Sequence, residues 1–144
     1  MEERKKIITV PDGKICDYID GKFRKDTPEE YVRQTIEKRL INEHKYKPTQ
    51  IKVEYTLKLG SRKPRADIVL FDRDCKKHEQ ENIQIIIECK KESVDPGNRD
   101  EGVEQLKSYM AASPNCEWGM WTNGRHKFVY KKYKNDSNKW AYMD

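Results

Sequence analysis

A buried strand runs into charged residues over residues 84–92, QIIIECKKE. Three consecutive isoleucines after a polar loop are typical of a strand that is covered on both faces. Glu88 and Lys90 then stand where further apolar residues would continue the core. Because charged groups at a core edge cost free energy unless they are paired, solvated or bound to a metal, this stretch raises the question of a functional site.

The geometry of strands indicates what this site could contain. Side chains two residues apart lie on the same face of a strand, so Glu88 and Lys90 are expected side by side. Asp67 lies near the start of the preceding strand, RADIVLFD, and antiparallel pairing of the two strands would bring it opposite that pair. Two carboxylates beside a lysine predict a site for a hard cation such as Mg²⁺, with water and a substrate phosphate completing its coordination.

The local motif alone is weakly specific. An acidic residue two positions before a lysine also occurs at Glu3, Asp12, Asp20, Glu43 and Asp74. Only Glu88 directly follows a buried run, with an aspartate leading the apolar strand upstream. The alternative is that Glu88 and Lys90 form a solvated strand end and that Asp67 is a turn residue.

The clearest helix start is TPEE at residues 27–30. Thr27 can cap the helix, Pro28 suits its first position, and Glu30 is placed as the reciprocal partner of a capping box. The helix is expected to end near His44. The apolar stripe of the helix is expected to consist of Tyr31, Ile36, Leu40 and Ile41. The positions expected to face solvent are Arg33, Glu37, Lys38 and Arg39.

The remaining patterns complete a fold prediction. Period-two alternation predicts a strand over residues 51–59, and Asn123-Gly124 predicts a terminal hairpin between EWGMWT and KFVYKKY. Residues 101–112 predict a second helix with Val103, Leu106 and Met110 on one face. The sequence therefore predicts an α/β fold of order αβββαββ, a central mixed sheet flanked by helices.

A chain of 144 residues with 35% hydrophobic content predicts one domain, at residues 27–134. Residues 1–26 are interpreted as an N-terminal arm or a short hairpin, in which IITV (7–10) and ICDYI (15–19) flank a P-D-G turn. Residues 135–144 are interpreted as a C-terminal tail, from which a larger protein could continue.

Charge and composition limit the kinds of partner and the cellular location that the chain is expected to have. The net charge of +5 leans toward a polyanionic partner without requiring one. No apolar run is long enough for a membrane span or a signal-peptide core, and the spacing of the four cysteines favours reduced thiols over a zinc site. A soluble, cytoplasmic protein with no membrane partner is expected. The sequence contains no phosphate-binding loop of an ATP-driven motor.

Five segments together carry a family resemblance: TPEEYVRQTIEKRLINEHKY, RADIVLFD, IIIECKKE, EQLKSYM and WTNG. Their order and spacing, over roughly residues 24–133, resemble the N-terminal nuclease domain of type I restriction enzyme R subunits, within the PD-(D/E)XK nuclease superfamily. The resemblance implies a restriction-endonuclease-like core. Pro64 departs from the superfamily pattern, because it stands three residues before Asp67 instead of next to it.

The resemblance also implies roles for individual residues. Asp67 and Glu88 match the family's metal-binding carboxylates, and Lys90 matches its catalytic lysine. Gln105 and Tyr109 match a Q-x-x-x-Y element that supports the active site or its contacts with DNA. Glu30 matches a first-helix glutamate that joins the site in some members of the superfamily, although a capping role also explains it.

The function implied is Mg²⁺-dependent hydrolysis of DNA phosphodiesters within a restriction system, with Mn²⁺ as a possible substitute. Basic residues near the signature are candidates for holding phosphates: Arg62, Lys63, Arg65 and Lys91. Family members work with helicase or motor, methyltransferase and specificity parts, which are expected partners. Two alternatives stay open, a nucleic-acid-binding module that does not cleave and an assembly module of a restriction-modification complex.

Overall fold

The computed structural model describes residues 9–134 and 140–143. Two helices and eight strands form its regular structure. In chain order these are β1 (Lys14–Cys16), β2 (Phe23–Lys25), α1 (Pro28–Asn42), β3 (Ile51–Thr56), β4 (Arg65–Phe71), β5 (Ile83–Cys89), α2 (Val103–Ala111), β6 (Trp118–Thr122), β7 (Lys127–Lys134) and β8 (Trp140–Met143). Short 3-10 turns precede β3 and β5.

A six-stranded mixed sheet forms the centre of the fold, with strand order β3-β4-β5-β6-β7-β8. All neighbouring strands are antiparallel except β5 and β6, which run parallel. A parallel pair needs a crossover connection, and α2 supplies it between β5 and β6. The predicted α/β class with a mixed sheet and two flanking helices is confirmed.

The two helices cover opposite faces of the sheet. Val32, Ile36 and Leu40 of α1 belong to a core cluster with Ile68 and Ile87 of the sheet. On the other face, α2 packs against β5 and β6 through an apolar cluster that includes Leu106, Met110, Ile86 and Trp121. Gly119 of β6 lies so close to Met110 and Leu106 that a Cβ there would meet Met110 Sδ. The sheet is therefore held between two helices, with β4 and β5 at its buried centre.

Helix α1 begins as predicted and buries Ile36 and Leu40 of the predicted stripe, but it also buries two charged residues and exposes Tyr31. Thr27 Oγ1 accepts a hydrogen bond from the Glu30 amide at 3.1 Å, which is the expected cap. The Glu30 side chain instead accepts hydrogen bonds from Arg33 and Gln34. The predictions that Arg33 and Glu37 face solvent and that Tyr31 packs in the core are wrong, since their exposed fractions are 4%, 0% and 69%.

The N-terminal hairpin forms with a different pairing from the predicted one. β1 pairs with β2 through Lys14–Lys25, Ile15–Arg24 and Cys16–Phe23, so the connecting turn lies at residues 17–22 and not at P-D-G. Residues 7 and 8 of the predicted IITV segment lie outside the described residues. At the other end, β8 adds a strand within the predicted tail of residues 135–144, by pairing with β7.

None of the helices among the described residues is both long enough and apolar enough to span a membrane.

Candidate active site

The site forms where the ladder between β4 and β5 stops. Ile68 and Ile87 are the last paired residues on this side, so Asp67 and Glu88 come next on the two strands. Here side-chain carboxylates, in place of backbone carbonyls, accept the hydrogen bonds of the backbone amides. The Asp67 N–H donates to Glu88 Oε1 at 3.1 Å, and the Cys89 N–H donates to Asp67 Oδ2 at 2.8 Å. The predicted antiparallel approach of Asp67 to Glu88 is therefore present, and backbone donors fix one oxygen of each carboxylate.

Lys90 completes the group as the first residue beyond β5. Its Nζ lies 3.5 Å from Glu88 Oε2, and its backbone N–H donates to the Thr122 carbonyl of β6 at 2.8 Å. Glu88 and Lys90 are buried, with exposed fractions of 1% and 7%. The hydrogen bond to the parallel strand β6 therefore holds the backbone of Lys90, and the Lys90 side chain contacts Glu88.

Burial sets the protonation of the two carboxyls. It raises the pKa of Glu88 well above the ordinary value, and the negative charge of Asp67 raises it further. Burial also raises the pKa of Asp67, although the Cys89 amide and the charge of Lys90 act in the opposite direction. Burial and the closeness of the two carboxyls thus favour their protonated forms, while Lys90 and the backbone amides favour the charged forms.

Lys90 stays a cation in this environment. Burial acts to lower the pKa of its amine, but the carboxylates of Glu88 and Asp67 outweigh that effect and raise the pKa above its ordinary value. A protonated lysine can donate hydrogen bonds to a water or a phosphate oxygen, but it cannot accept a proton. The arrangement therefore suits electrostatic stabilisation by Lys90 better than base catalysis.

Helix α1 brings Arg33 and Glu30 to the other side of Asp67. The Arg33 guanidinium donates to both carboxylate oxygens of Glu30, and its Nη1 lies 4.0 Å from Asp67 Oδ1. Glu54 of β3 joins the group, because its Oε1 lies 3.4 Å from Arg33 Nη2. The predicted placement of Glu30 at the site is therefore indirect, with Arg33 standing between it and Asp67.

The supporting residues line two separate cavities. One, of ≈ 510 Å³, is lined by Glu29, Glu30, Arg33, Glu54, Asp67, Lys91 and Glu101, among others. The second, of ≈ 290 Å³, includes Arg62, Gln105 and Tyr109 in its walls. Burial and then the charge of Glu88 raise the pKa of Tyr109. The buried Gln105 Oε1 has no hydrogen-bond partner among the described residues.

The basic residues predicted to surround the site are exposed. Lys91 lines the cavity that contains Asp67, and Arg62 lines the cavity that contains Tyr109. Arg65 lies 3.7 Å from Glu54, so part of its charge is already opposed. Lys63 is exposed in the segment between β3 and β4.

A second acidic cluster lies close by but is already filled by protein donors. Oxygens of Asp17, Glu30 and Glu37 lie within 4.8 Å of one another. Gln34 Nε2 lies within hydrogen-bond distance of all three, at 2.9, 2.8 and 2.9 Å, and its two N–H groups are shared among them, so an amide nitrogen occupies the position at which a cation would contact them. The cluster therefore fits a buried hydrogen-bond network better than a metal site.

The donors at Asp67 and Glu88 do fit a hard cation. Each residue keeps one carboxylate oxygen that no backbone amide holds, Asp67 Oδ1 and Glu88 Oε2, and carboxylate oxygens are the ligands that Mg²⁺ and Mn²⁺ prefer. The Asp67 side chain keeps 16% of its surface exposed and the Glu88 side chain 2%, so Asp67 is the member of the pair that a ligand can reach from solvent.

Sequence reasoning missed Arg33 and Glu54. Arg33 is the charged residue of α1 that lies against Asp67. Glu54 adopts a left-handed backbone, with a φ of 50°, inside a strand. A conformation of this kind in a non-glycine residue costs free energy and persists only where its surroundings hold it. Spacing could have found Arg33, because it follows Glu30 by one helical turn. The sequence carries no local signal for the backbone of Glu54.

The fold and these residues together describe a mixed α/β domain with a nuclease-like core. The sequence model of the type I restriction enzyme R protein N terminus matches residues 28–144, and the chain belongs to this family. The family ties the chain to restriction systems. A search of curated proteins and a search of solved structures each gave no significant match.

Proposed function

We propose that this domain is a metal-dependent endodeoxyribonuclease of the PD-(D/E)XK superfamily, which hydrolyses DNA phosphodiesters with Mg²⁺ in a restriction system. One observation carries the proposal. Asp67, Glu88 and Lys90 come together at the point where β4 and β5 separate, and backbone amides already orient both carboxylates. Orienting a charged group before the substrate arrives is the main source of electrostatic catalysis.

Each residue has a role that follows from its position. Asp67 Oδ1 and Glu88 Oε2 would hold the cation, which when bound would supply Lewis acidity toward the phosphate and lower the pKa of a water. Lys90 donates from its ammonium to the attacking water or to a nonbridging phosphate oxygen. Tyr109 and Gln105 support the site from α2, where they line the second cavity.

Binding DNA at this cavity requires positive charge to offset the acidic residues, because Glu29, Glu54 and Glu101 line it together with Asp67. A bound cation and the exposed lysines and arginines would supply it, by releasing counterions from the phosphates they contact. The residues assigned to this role are Arg62, Lys63, Arg65 and Lys91. The domain would act beside motor, methyltransferase and specificity parts of a restriction complex in the cytoplasm.

A plasmid-nicking assay tests the proposal. Supercoiled DNA is incubated with the chain, alone and with its natural companion subunits, over a Mg²⁺ series. Wild type should nick the plasmid only with the divalent ion, and Asp67→Asn and Lys90→Met should each lower the rate by about a hundredfold or more. Lys38→Met removes an exposed lysine of α1 and serves as the matched control, with an unchanged rate.

The contrary outcomes separate the alternatives. DNA retention that weakens steeply with salt, without nicking under any divalent ion, would support a binding module that does not cleave. Neither binding nor nicking, with complex assembly intact, would support an assembly module. Equal nicking by wild type and Lys90→Met would refute the assigned site.

A further inference from the structure

We infer that the Arg33 guanidinium takes the place of a second metal ion, so that the site binds one divalent cation per chain. The inference rests on the proposed function and adds the stoichiometry of the cofactor to it. Carboxylate nucleases can use either one or two cations, and the residues around Arg33 decide which arrangement this chain permits.

Arg33 occupies the position in which carboxylates from three elements converge. Its guanidinium donates to both oxygens of Glu30 on α1, lies 3.4 Å from Glu54 on β3, and lies 4.0 Å from Asp67 on β4. Only 4% of Arg33 is exposed. The three acidic groups that a second ion would need are therefore already served by one buried, permanently charged side chain.

The distances leave the first ion position open. Arg33 bonds to Glu30, but 4.0 Å to Asp67 Oδ1 is beyond a hydrogen bond, while Cys89 holds the other Asp67 oxygen. Asp67 Oδ1 thus stays available to a cation shared with Glu88. A second divalent ion on the α1 side would meet the guanidinium directly, and like charges at that separation repel strongly in a buried site.

Neighbouring residues keep Arg33 from moving away. Glu54 Oε2 accepts from Arg24 Nη1 at 2.8 Å, and Arg24 Nε donates to Asp17 at 2.9 Å. Glu54 therefore lies among three arginines, Arg24, Arg33 and Arg65, and it has a left-handed backbone. Because Glu30 is also held by Gln34 at 2.8 Å, both partners of Arg33 are fixed before any ion binds.

The test counts bound ions directly. Mn²⁺ is titrated calorimetrically into wild type, Arg33→Lys and Arg33→Gln, and bound Mn²⁺ is counted by electron paramagnetic resonance. Wild type and Arg33→Lys, which keep the positive charge, should bind one ion per chain. Arg33→Gln removes that charge together with its hydrogen bonds to Glu30 and Glu54, and should bind two. Glu43→Gln, an exposed substitution near the end of α1, should behave as wild type.

Wild type alone can overturn the inference, so the test does not depend on whether Arg33→Gln folds. Saturated wild type should give the spectrum of an isolated Mn²⁺ ion, and a spin-coupled pair of ions would refute the role of Arg33. A folded Arg33→Gln that still binds one ion would refute it as well. Two ions in a wild type that nicks DNA would leave the proposed function standing, whereas no ion and no nicking would remove the proposed function itself.

Discussion

Glu37 provides the sharpest stability prediction, because a completely buried carboxyl sits in the network behind the site. Glu37 is 0% exposed, one of its carboxyl oxygens lies within 4.8 Å of an Asp17 oxygen, and its Oε2 accepts from Gln34 Nε2. Burial, followed by the contact with Asp17, raises the pKa of Glu37 from 4.5 to about 9. We therefore expect Glu37 to be a neutral acid that donates its proton to Asp17, whose own pKa is lowered.

The sign of the pH dependence follows from proton linkage. Between the unfolded pKa of 4.5 and the folded pKa of about 9, the folded chain keeps a proton on Glu37 that the unfolded chain has released. The stability contributed by this proton is fully present below the unfolded pKa and is lost as the pH rises through the folded pKa. One such proton changes the free energy of unfolding by about 1.4 kcal/mol per pH unit.

The perturbation is Glu37→Gln, which keeps the shape and a donor toward Asp17 but cannot ionise. Between about pH 5.5 and about pH 7.5, the free energy of unfolding of the variant should rise by roughly 3 kcal/mol relative to that of wild type. Urea unfolding at a series of pH values measures the difference. Glu43→Gln, which changes an exposed acid of the same helix, should stay within about 0.5 kcal/mol of wild type throughout. A constant difference between Glu37→Gln and wild type would refute a protonated Glu37.

Three further predictions concern packing and DNA binding. Gly119→Ala should lower the free energy of denaturant unfolding by about 1–3 kcal/mol because the new methyl meets Met110 Sδ in the core. Gly97→Ala should lower it less, since the new methyl there meets the end of the exposed Asp95 side chain. Equal losses would contradict the close approach of α2. Lys132→Met should lower the free energy of unfolding by about 2–4 kcal/mol, since the Lys132 amine donates to the Met110 and Ser113 carbonyls at 2.8 Å each. Lys127→Met, which replaces an exposed lysine, is the control. Lys63→Gln should weaken DNA binding and reduce the salt slope by about one, as measured by fluorescence anisotropy; an unchanged slope would remove Lys63 from the interface.

The sequence predicted that Asp67, Glu88 and Lys90 would lie close together, and it could do so because the signals for this arrangement are local. Charges directly after an isoleucine run indicated Glu88 and Lys90 as candidates, and an apolar strand led by an aspartate indicated Asp67. Strand periodicity then fixed their relative orientation, which the contacts between β4 and β5 confirm. The cap at Thr27 was predictable for the same reason, since its signature lies within four residues.

The missed features depend on contacts between distant segments. Arg33 and Glu37 look like solvated helix positions, and only the approach of Asp17 and Glu54 makes them buried partners. β1 pairs with β2 across a six-residue turn that contains Asp20-Gly21, a turn signal that competes with the P-D-G at residues 11–13, so turn residues alone do not decide the pairing. Strand β8 is four residues long, too short for a periodic pattern to stand out.

The location of the bound cation tests the central claim most directly. Crystals of the chain soaked in Mn²⁺ would be examined for anomalous scattering. The proposed function predicts a peak in contact with Asp67 and Glu88, on the side of the pair nearest Lys90. A peak among Asp17, Glu30 and Glu37 instead, or none at Asp67 and Glu88 under saturating Mn²⁺, would contradict it.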